Sequence, residues 1–313
     1  MKSTRDGFGD ALLELGKQNE NVVVLTADLT ESVRAGAFKE MFPRRFFSFG
    51  VSEQDMISAA AGFALEGKIP FACTFGVFAS GRPWDQIRIS VAYMNLNVNI
   101  VGTHAGITVG PDGATHQALE EITLMRVLPN MTVIVPADYY EAKKAAQAAA
   151  SYPGPVYLRL TRNSVPFITN EEDEYQIGKA NVLKDGWDLT IIACGQMVHI
   201  CLKAADILEQ ENISARVINL HTVKPLDRNE IIKAASETKA ILTVEEHQVF
   251  GGMGSAVAEL VCENYPVPMK LMGIRDRFGR SGEADVLLEA FGLTSENVVK
   301  EAKILLEKKV DNL

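Results

Sequence analysis

The stretch NVVVLTADL, residues 21–29, sets four large aliphatic side chains in a row and ends near an acid. Such a run is typical of a strand that is buried on both faces, as the strands of parallel sheets are. Similar runs follow at 69–75, 97–104, 131–137 and 155–160. Segments with a helical pattern separate them, at 53–66, 84–94 and 138–151. This alternation predicts parallel βαβ units with helices on both faces of a sheet.

The second half of the chain repeats the alternation after a change of composition. Residues 169–179, TNEEDEYQIGK, are acidic and polar, and we predict that they form a linker. Strands are predicted at 189–195, 214–220 and 239–246, and helices at 197–210, 251–265 and 294–309. We therefore predict an α/β protein with two doubly wound, mostly parallel sheets, in a first domain at 1–168 and a second domain at 180–313.

Charge and composition argue against several classes of function. The 313 residues include 40 acidic and 31 basic side chains, a net charge of −9, which disfavours nucleic acid or an anionic membrane as the main partner. The four cysteines have no CxxC spacing, so we expect neither a disulfide framework nor a zinc site. GGMGSA at 251–256 lacks the last glycine of a dinucleotide-binding motif, because Val257 stands there. No apolar leader and no run of 18 apolar residues occurs, which predicts a reduced, cytoplasmic protein without membrane contact.

Glu53 is the first candidate for a functional residue. It opens a helix of small and apolar residues, including SAAAGFA at 58–64, and we expect this helix to be buried on all sides. Ser52 and Asp55 resemble a capping box, with Asp in place of the usual Glu or Gln. An acid in the first turn could therefore simply stabilise the start of the helix. If Ser52 and Asp55 provide the cap, Glu53 is free to share a proton with a ligand nitrogen.

Further candidates follow the predicted strands, where parallel sheets place their ligands. Phe75 and Phe78 are either core residues or the walls of a site for a flat heterocycle. His104 and His116 flank the glycine-rich turn GPDGA. His116 either caps a helix predicted at 117–127 or contacts a hydroxylated or phosphorylated substrate. A metal site is the least favoured interpretation, because the chain has no HExxH motif and no short His-x-His pair.

Taken together, these stretches resemble the transketolase superfamily of thiamine diphosphate enzymes over nearly the whole chain. The resemblance to the pyrimidine-binding domain rests on ADLTESV, FFSFGVSEQDMISAAAGFA, CTFGVFASGRPWDQIR, GITVGPDGATHQALEEITLMRVLPNMTVIVPAD and YLRLTRNSVP. The resemblance to the carboxy-terminal domain rests on VEEHQVFGGMGSAVAE and DRFGRSGEADVLLEAFGL. The order and spacing of so many motifs make the resemblance specific.

The resemblance implies a role for each candidate residue. Glu53 would bond the N1′ nitrogen of the aminopyrimidine ring, with Phe78 stacked on that ring, and the catalytic residues would be Glu53 and His116. The implied thiamine diphosphate contacts are Asp28, Glu53, Phe75, Phe78 and His116. The implied contacts to the sugar and its distal phosphate are Arg5, Ser32, His104, Asp112 and Arg162. The place of the family's third stacking aromatic is taken by Gly81 or a neighbour.

The resemblance also implies a partner subunit. Full-length transketolases begin with a domain whose GDG-type motif holds Mg²⁺ and the diphosphate, and this chain has no such motif in that context. It therefore resembles the carboxy-terminal subunit of a split transketolase, which would need an amino-terminal subunit and form an α2β2 heterotetramer. The implied reaction moves a two-carbon ketol unit from a ketose phosphate to an aldose phosphate. A 2-oxo acid dehydrogenase β-subunit, a specialised sugar-degradation transketolase subunit and a non-catalytic interaction subunit remain alternatives.

Overall fold

The computed structural model describes residues 1–311 and arranges them around two sheets. Six strands of the first sheet come from the first half of the chain: β1 Val22–Thr26, β2 Phe46–Ser48, β3 Ile69–Phe75, β4 Asn99–Thr103, β5 Thr132–Ile134 and β6 Val156–Arg159. They lie in the order β5-β6-β4-β3-β1-β2 and are parallel to their neighbours. The aliphatic run that opens β1 is buried on both faces, as a central parallel strand requires.

Helices cover both faces of the first sheet. They are α1 Thr4–Gln18, α2 Gly36–Met41, α3 Glu53–Leu65, α4 Gly76–Gly81, α5 Trp84–Gln86, α6 Glu121–Arg126 and α7 Tyr139–Ser151. α1 and α7 pack together on one face, where Phe8 and Ala142 share a core with Val22 and Val24. α3 lies on the opposite face and contributes residues such as Met56 to the core that contains the alternate strand residues of β1. The first sheet is therefore doubly wound, as the sequence predicts.

The second half of the chain adds six strands and five helices. The strands are β7 Asn181–Lys184, β8 Leu189–Ala193, β9 Ala215–Asn219, β10 Thr222–Lys224, β11 Ile241–Gln248 and β12 Met269–Ile274. The helices are α8 Met197–Gln210, α9 Arg228–Thr238, α10 Met253–Asn264, α11 Ala284–Ala290 and α12 Ser295–Asp311. Five strands form the second sheet in the order β12-β11-β8-β9-β7, parallel except for β7. The predicted α/β architecture with two mostly parallel sheets is confirmed.

β10 leaves its own half of the chain and completes the first sheet as a seventh strand. It pairs with β5 in the antiparallel direction, with Thr222 opposite Ile134. Next to this pair, the N–H of Val135 donates a hydrogen bond of 2.7 Å to the carbonyl oxygen of His221. The two sheets are therefore joined by main-chain pairing as well as by side chains. Among the described residues, no helix has the length and apolarity that a bilayer crossing needs.

α3 differs from its prediction in one respect. Glu53 is buried, together with Met56, Ile57, Ala60 and Ala61, which pack against the first sheet. The opposite face is exposed and carries Gln54, Asp55, Ser58, Gly62 and Leu65. Burial on all sides was therefore the wrong prediction for this chain, because small residues such as Ser and Gly fit both a buried and an open face.

Candidate active site

The predicted site residues converge on the carboxyl edge of the first sheet. Asp28 follows β1, Phe75 ends β3, His104 follows β4 and Arg162 follows β6. Parallel strands end at the same edge, so residues that are far apart in sequence meet there. Asp28 and His104 both have positive φ, of 58° and 54°, which turns the chain sharply as it leaves its strand. Asp28 is exposed at this edge, whereas His104 is buried.

Glu53 is the first residue of α3, and its side chain is 4% exposed. Its Oε1 accepts a hydrogen bond of 2.6 Å from Nη1 of Arg82, whose side chain is 45% exposed. Ser52 holds the N-cap position, but its side chain makes no capping hydrogen bond. The predicted capping box of Ser52 and Asp55 is therefore wrong. A buried carboxylate with a cation as its partner is the arrangement that this position adopts instead.

Aromatic side chains form the wall of the site beside Glu53. Phe75 and Phe78 are stacked, with 6.0 Å between ring centroids and 14° between planes. His104 stacks on Phe75 at 3.8 Å, and His116 meets Phe78 edge-on at 5.4 Å. The guanidinium of Arg82 lies 4.1 Å from the centroid of Phe78. Phe78 is therefore half-buried, with Arg82, Phe75 and His116 against its ring.

Two arginines bring positive charge to the same edge. Nη1 of Arg5 donates to the carbonyl oxygen of Ser32 at 3.0 Å and lies 3.2 Å from Nε2 of His104. Arg162 forms an ion pair of 3.4 Å with Asp112. The predicted substrate residues therefore fall into two adjoining groups, and Ser32 takes part through its main chain.

His104 is held in its neutral form by this environment. Burial, together with the charges of Arg5 and Arg162, lowers its pKa to about 3. Since the Arg5 guanidinium can only donate, Nε2 of His104 accepts its hydrogen bond. The proton then lies on Nδ1, which is 2.9 Å from Oγ1 of Thr103 and can donate to it. His104 is therefore assigned as a fixed neutral tautomer.

The loop that carries Asp112 and His116 is attached to the second half of the chain. The main-chain N–H of Thr108 donates to Oε1 of Glu246 at 2.7 Å. Nε2 of Gln117 donates to the carbonyl oxygen of Arg280 at 2.9 Å. Gly106 has φ of 86°, and a Cβ there would lie 2.2 Å from the carboxyl carbon of Glu246. The loop geometry therefore depends on Glu246 near the carboxyl end of β11 and on Arg280 in the segment after β12.

His116 does not cap the helix that follows it. The predicted helix at 117–127 is shorter, since α6 begins at Glu121, and His116 lies outside it. Nδ1 of His116 is instead 2.9 Å from Oγ1 of Thr115, and its ring touches Phe78. Among residues 1–311, no group of three or more His, Cys, Asp or Glu side chains is arranged to hold a metal ion.

Sequence reasoning missed several residues that shape the site. Arg82 was part of a quoted motif but had no role, although a charged residue beside a predicted stacking aromatic was a usable signal. Glu246, Gln196 and Gln117 also went unnoticed. Glu246 and Gln196 contact the loop from positions that are distant in sequence, and Gln117 ties the loop to Arg280 across a similar distance. No local pattern marks such contacts.

Two known protein families match this chain. The family described as "Transketolase, pyrimidine binding domain" matches residues 1–167, and the one described as "Transketolase, C-terminal domain" matches residues 178–298. The chain belongs to the transketolase family. The resemblance inferred from the sequence motifs is thereby confirmed.

Individual transketolase relatives agree with this assignment. The chain is 50% identical to a transketolase C-terminal section of Methanocaldococcus jannaschii, over 96% of this chain and 95% of that protein. It is 43% identical to a 6-deoxy-6-sulfo-D-fructose transketolase subunit of Clostridium sp. MSTE9, over 97% of this chain and 95% of that protein. A solved split-gene transketolase, described as an inactive beta4 tetramer, superposes with a TM-score of 0.93 at 46% identity, covering 99% of this chain and all of that one. The match therefore extends over whole chains.

Proposed function

We propose that this chain is the carboxy-terminal subunit of a split transketolase. In the proposed reaction, a two-carbon ketol unit passes from a ketose phosphate to an aldose phosphate through thiamine diphosphate. The observation that carries the proposal is the buried Glu53 carboxylate beside the ring of Phe78, at the carboxyl edge of a sheet in a transketolase-family fold. We assign the first domain to residues 1–168, the linker to 169–179 and the second domain to 180–313.

The residues around Glu53 fit the aminopyrimidine ring of thiamine diphosphate. That ring is flat and carries nitrogen atoms at its rim. It therefore needs an aromatic side chain against its face and a carboxylate at its edge, near a ring nitrogen. Phe78 offers the face and Glu53 the carboxylate. When bound, the cofactor supplies the nucleophile for the donor ketose. In this proposal, Glu53 holds a proton at the ring nitrogen N1′ and Phe78 keeps the ring in plane.

The second group of residues fits the sugar substrates. Arg5 and Arg162 put two cations next to the neutral His104, although the chain as a whole carries a charge of −9. An arginine fork matches the oxygens of a phosphate. The Clostridium relative is a subunit that acts on a 6-sulfo sugar, which also ends in an anion. This likeness supports substrates with an anionic end and leaves room for a specialised sugar-degradation transketolase.

The proposal includes an amino-terminal partner subunit that holds Mg²⁺ and the diphosphate. The metal contacts are assigned to the partner because this chain lacks, in that context, the GDG-type motif that holds Mg²⁺ in full-length transketolases. The similar split-gene transketolase is described as inactive when it is a beta4 tetramer, which supports activity only in a mixed α2β2 assembly. A cytoplasmic location stays a prediction from the sequence.

Replacing Glu53 by Gln tests the proposed function. The complex of this chain with its amino-terminal subunit, thiamine diphosphate and Mg²⁺ is assayed for two-carbon transfer between phosphorylated sugars. Losing a positioned proton carrier should lower kcat by about a hundredfold or more. Glu66→Gln, at the exposed end of the same helix, is the matched control and should keep the wild-type rate.

A near-normal rate for Glu53→Gln would contradict the assignment of Glu53. A lipoyl-reduction assay of the same complex separates ketol transfer from the 2-oxo acid dehydrogenase alternative. If the complex reduced a lipoyl domain and failed to transfer ketol units, the proposed reaction class would be wrong.

A further inference from the structure

Arg82 makes both of the contacts that the proposed function assigns to the aminopyrimidine ring. Its Nη1 donates to Oε1 of Glu53 at 2.6 Å, and its guanidinium carbon lies 4.1 Å from the ring centroid of Phe78. Phe78 is also flanked by Phe75 and by the edge of His116. Arg82 therefore covers the part of Phe78 that lies next to the carboxylate.

The guanidinium and the aminopyrimidine share the chemistry that these contacts select. Both are planar, both present N–H groups in their plane, and both can lie on an aromatic face. One carboxylate oxygen and one ring surface cannot hold both groups in the same position. When the ring takes the place of the guanidinium at Oε1 and on the same face of Phe78, its contacts and those of Arg82 exclude each other.

The position of Arg82 in the chain allows its side chain to leave while its backbone stays in place. It follows α4 directly, and its own carbonyl oxygen accepts a hydrogen bond of 3.2 Å from Nε2 of Gln54 in α3. Its side chain is 45% exposed, whereas Glu53 is 4% exposed. A Cβ at the preceding Gly81 would meet nothing within 4 Å, so there is open space beside the arginine.

We propose that Arg82 is an autoinhibitory contact that competes with the aminopyrimidine ring of thiamine diphosphate for Glu53 and Phe78. The inference rests on the proposed function, since it concerns the same site. Arg82 gives the buried Glu53 carboxylate an ionic partner, and a buried carboxylate without one carries a large free-energy penalty. Cofactor binding requires the side chain to swing towards solvent, and Glu53 then exchanges the guanidinium for the ring nitrogen.

The competition has a measurable consequence for affinity. When a ligand binds only the open form of a site, its apparent dissociation constant is the intrinsic value divided by the open fraction. Removing the guanidinium should make the site permanently open. A charge-assisted hydrogen bond from a half-exposed arginine then predicts that the apparent Kd for thiamine diphosphate falls about five- to thirtyfold.

The test uses the complex of this chain with its amino-terminal subunit, titrated with thiamine diphosphate in the presence of Mg²⁺ by isothermal calorimetry. Arg82→Met keeps the length of the side chain and should bind more tightly by the factor given above. Arg82→Lys keeps the charge without the planar fork and should show a smaller gain. Arg44→Met, at an exposed arginine in the turn Pro43–Arg45, is the matched control and should bind as the wild type does.

A double-mutant cycle connects the gain to Glu53. In the Glu53→Gln background, Arg82 has already lost its ionic partner, so adding Arg82→Met should tighten binding by less than threefold. An equal gain in both backgrounds would overturn the proposal, as would unchanged or weaker binding by Arg82→Met and Arg82→Lys in the presence of Glu53. If the wild-type complex bound no thiamine diphosphate at all, the proposed function itself would be wrong. Thermal melting of each variant verifies that it is folded.

Discussion

At the scale of single residues, the charge state of His104 follows from its neighbours. Arg5 lies 3.2 Å from Nε2, and burial together with nearby cations lowers the pKa of His104 to about 3. His104 thus stays neutral in the folded chain at pH values where the histidine of the unfolded chain, with a pKa near 6.5, is protonated. His104 therefore contributes stability that is fully present above pH 6.5 and is lost as the pH falls towards 3. At neutral pH it is an uncharged side chain paired with Arg5 and Thr103.

We expect the imidazole NMR signal of His104 to stay constant from pH 8 down to about 5, because a group with a pKa of about 3 hardly titrates in that range. The chain is labelled with ¹³C-histidine, and the His104→Asn variant identifies the signal. The same chain unfolded in urea is the control, and there the signal should move with a midpoint near 6.5. A folded-state midpoint near 6.5 would disprove this assignment of charge.

Residues at strand ends could be predicted from the sequence, whereas contacts between loops could not. Phe75 and His104 close long apolar runs, and parallel pairing brings such ends to one edge. Arg82 meets Glu53 only because the turn after α4 folds back towards the start of α3. No periodic pattern encodes that approach. The sequence could mark Arg82 as a charged residue near Phe78, but its pairing with Glu53 could be seen only in the fold.

At the scale of elements, strands rich in buried aliphatic residues were the ones that could be predicted. β1 and β8 were foreseen because they consist largely of such residues and are buried throughout. β2 and β10 have three residues each, and β7 is only partly buried, so none of them shows a distinct pattern. The same limit applied to α3, where small side chains concealed which face is open. Short strands and small side chains are thus the features that made these elements hard to predict from the sequence.

Two glycines in helices should respond in opposite ways to alanine. A Cβ on Gly7 in α1 would lie 2.1 Å from the carbonyl oxygen of Tyr139 in α7, so Gly7→Ala should destabilise the chain by about 1–3 kcal/mol through overpacking. A Cβ on Gly62 in α3 would meet nothing within 4 Å. Gly62→Ala should therefore stabilise the chain by about 0.5–1 kcal/mol, because alanine favours a helix.

Thermal melting of this chain alone, at one concentration and pH, compares the two variants with the wild type. Gly7→Ala is expected to melt at a lower temperature and Gly62→Ala at a higher one. A rise in melting temperature for Gly7→Ala would show that α1 and α7 can move apart without a loss of stability. The close packing of these helices would then contribute nothing to the free energy of unfolding.

At the scale of the whole molecule, the second half of the chain supports the site without lying in it. β10 completes the first sheet, and a buried polar network links the two halves. In this network, Nε of Arg159 donates to Oε1 of Glu121 at 2.5 Å, and its Nη2 donates to the carbonyl oxygen of Glu246 at 2.8 Å. The Glu246 carboxylate then accepts from the N–H of Thr108, in the loop that leads to His116. The loop is therefore positioned from the second half of the chain.

Replacing Glu246 by Gln should loosen this loop. The carboxylate accepts hydrogen bonds from the Thr108 N–H and from the Gln196 amide, while an amide has only one accepting oxygen and would set N–H against N–H at the other contact. Losing a buried hydrogen bond to a charged group predicts amide exchange at Thr108 that is about tenfold faster or more. In the assembled complex, KM for the donor sugar should rise by a larger factor than the Kd of thiamine diphosphate, because Glu53 and Phe78 lie outside the loop and His116 is the implied cofactor contact within it.

Hydrogen–deuterium exchange at residues 106–117 is measured together with KM for the donor sugar and Kd for thiamine diphosphate. These three measurements distinguish a role of Glu246 in positioning the loop from a general loss of stability. Glu289→Gln, at an exposed position of α11, is the matched control and should change none of the three measurements. A purely structural role for Glu246 would lower the melting temperature and speed exchange throughout both sheets, with no selective change at the loop. Unaltered protection at Thr108 in Glu246→Gln would mean that the loop holds its shape by itself, and the second half of the chain would then have no part in placing His116.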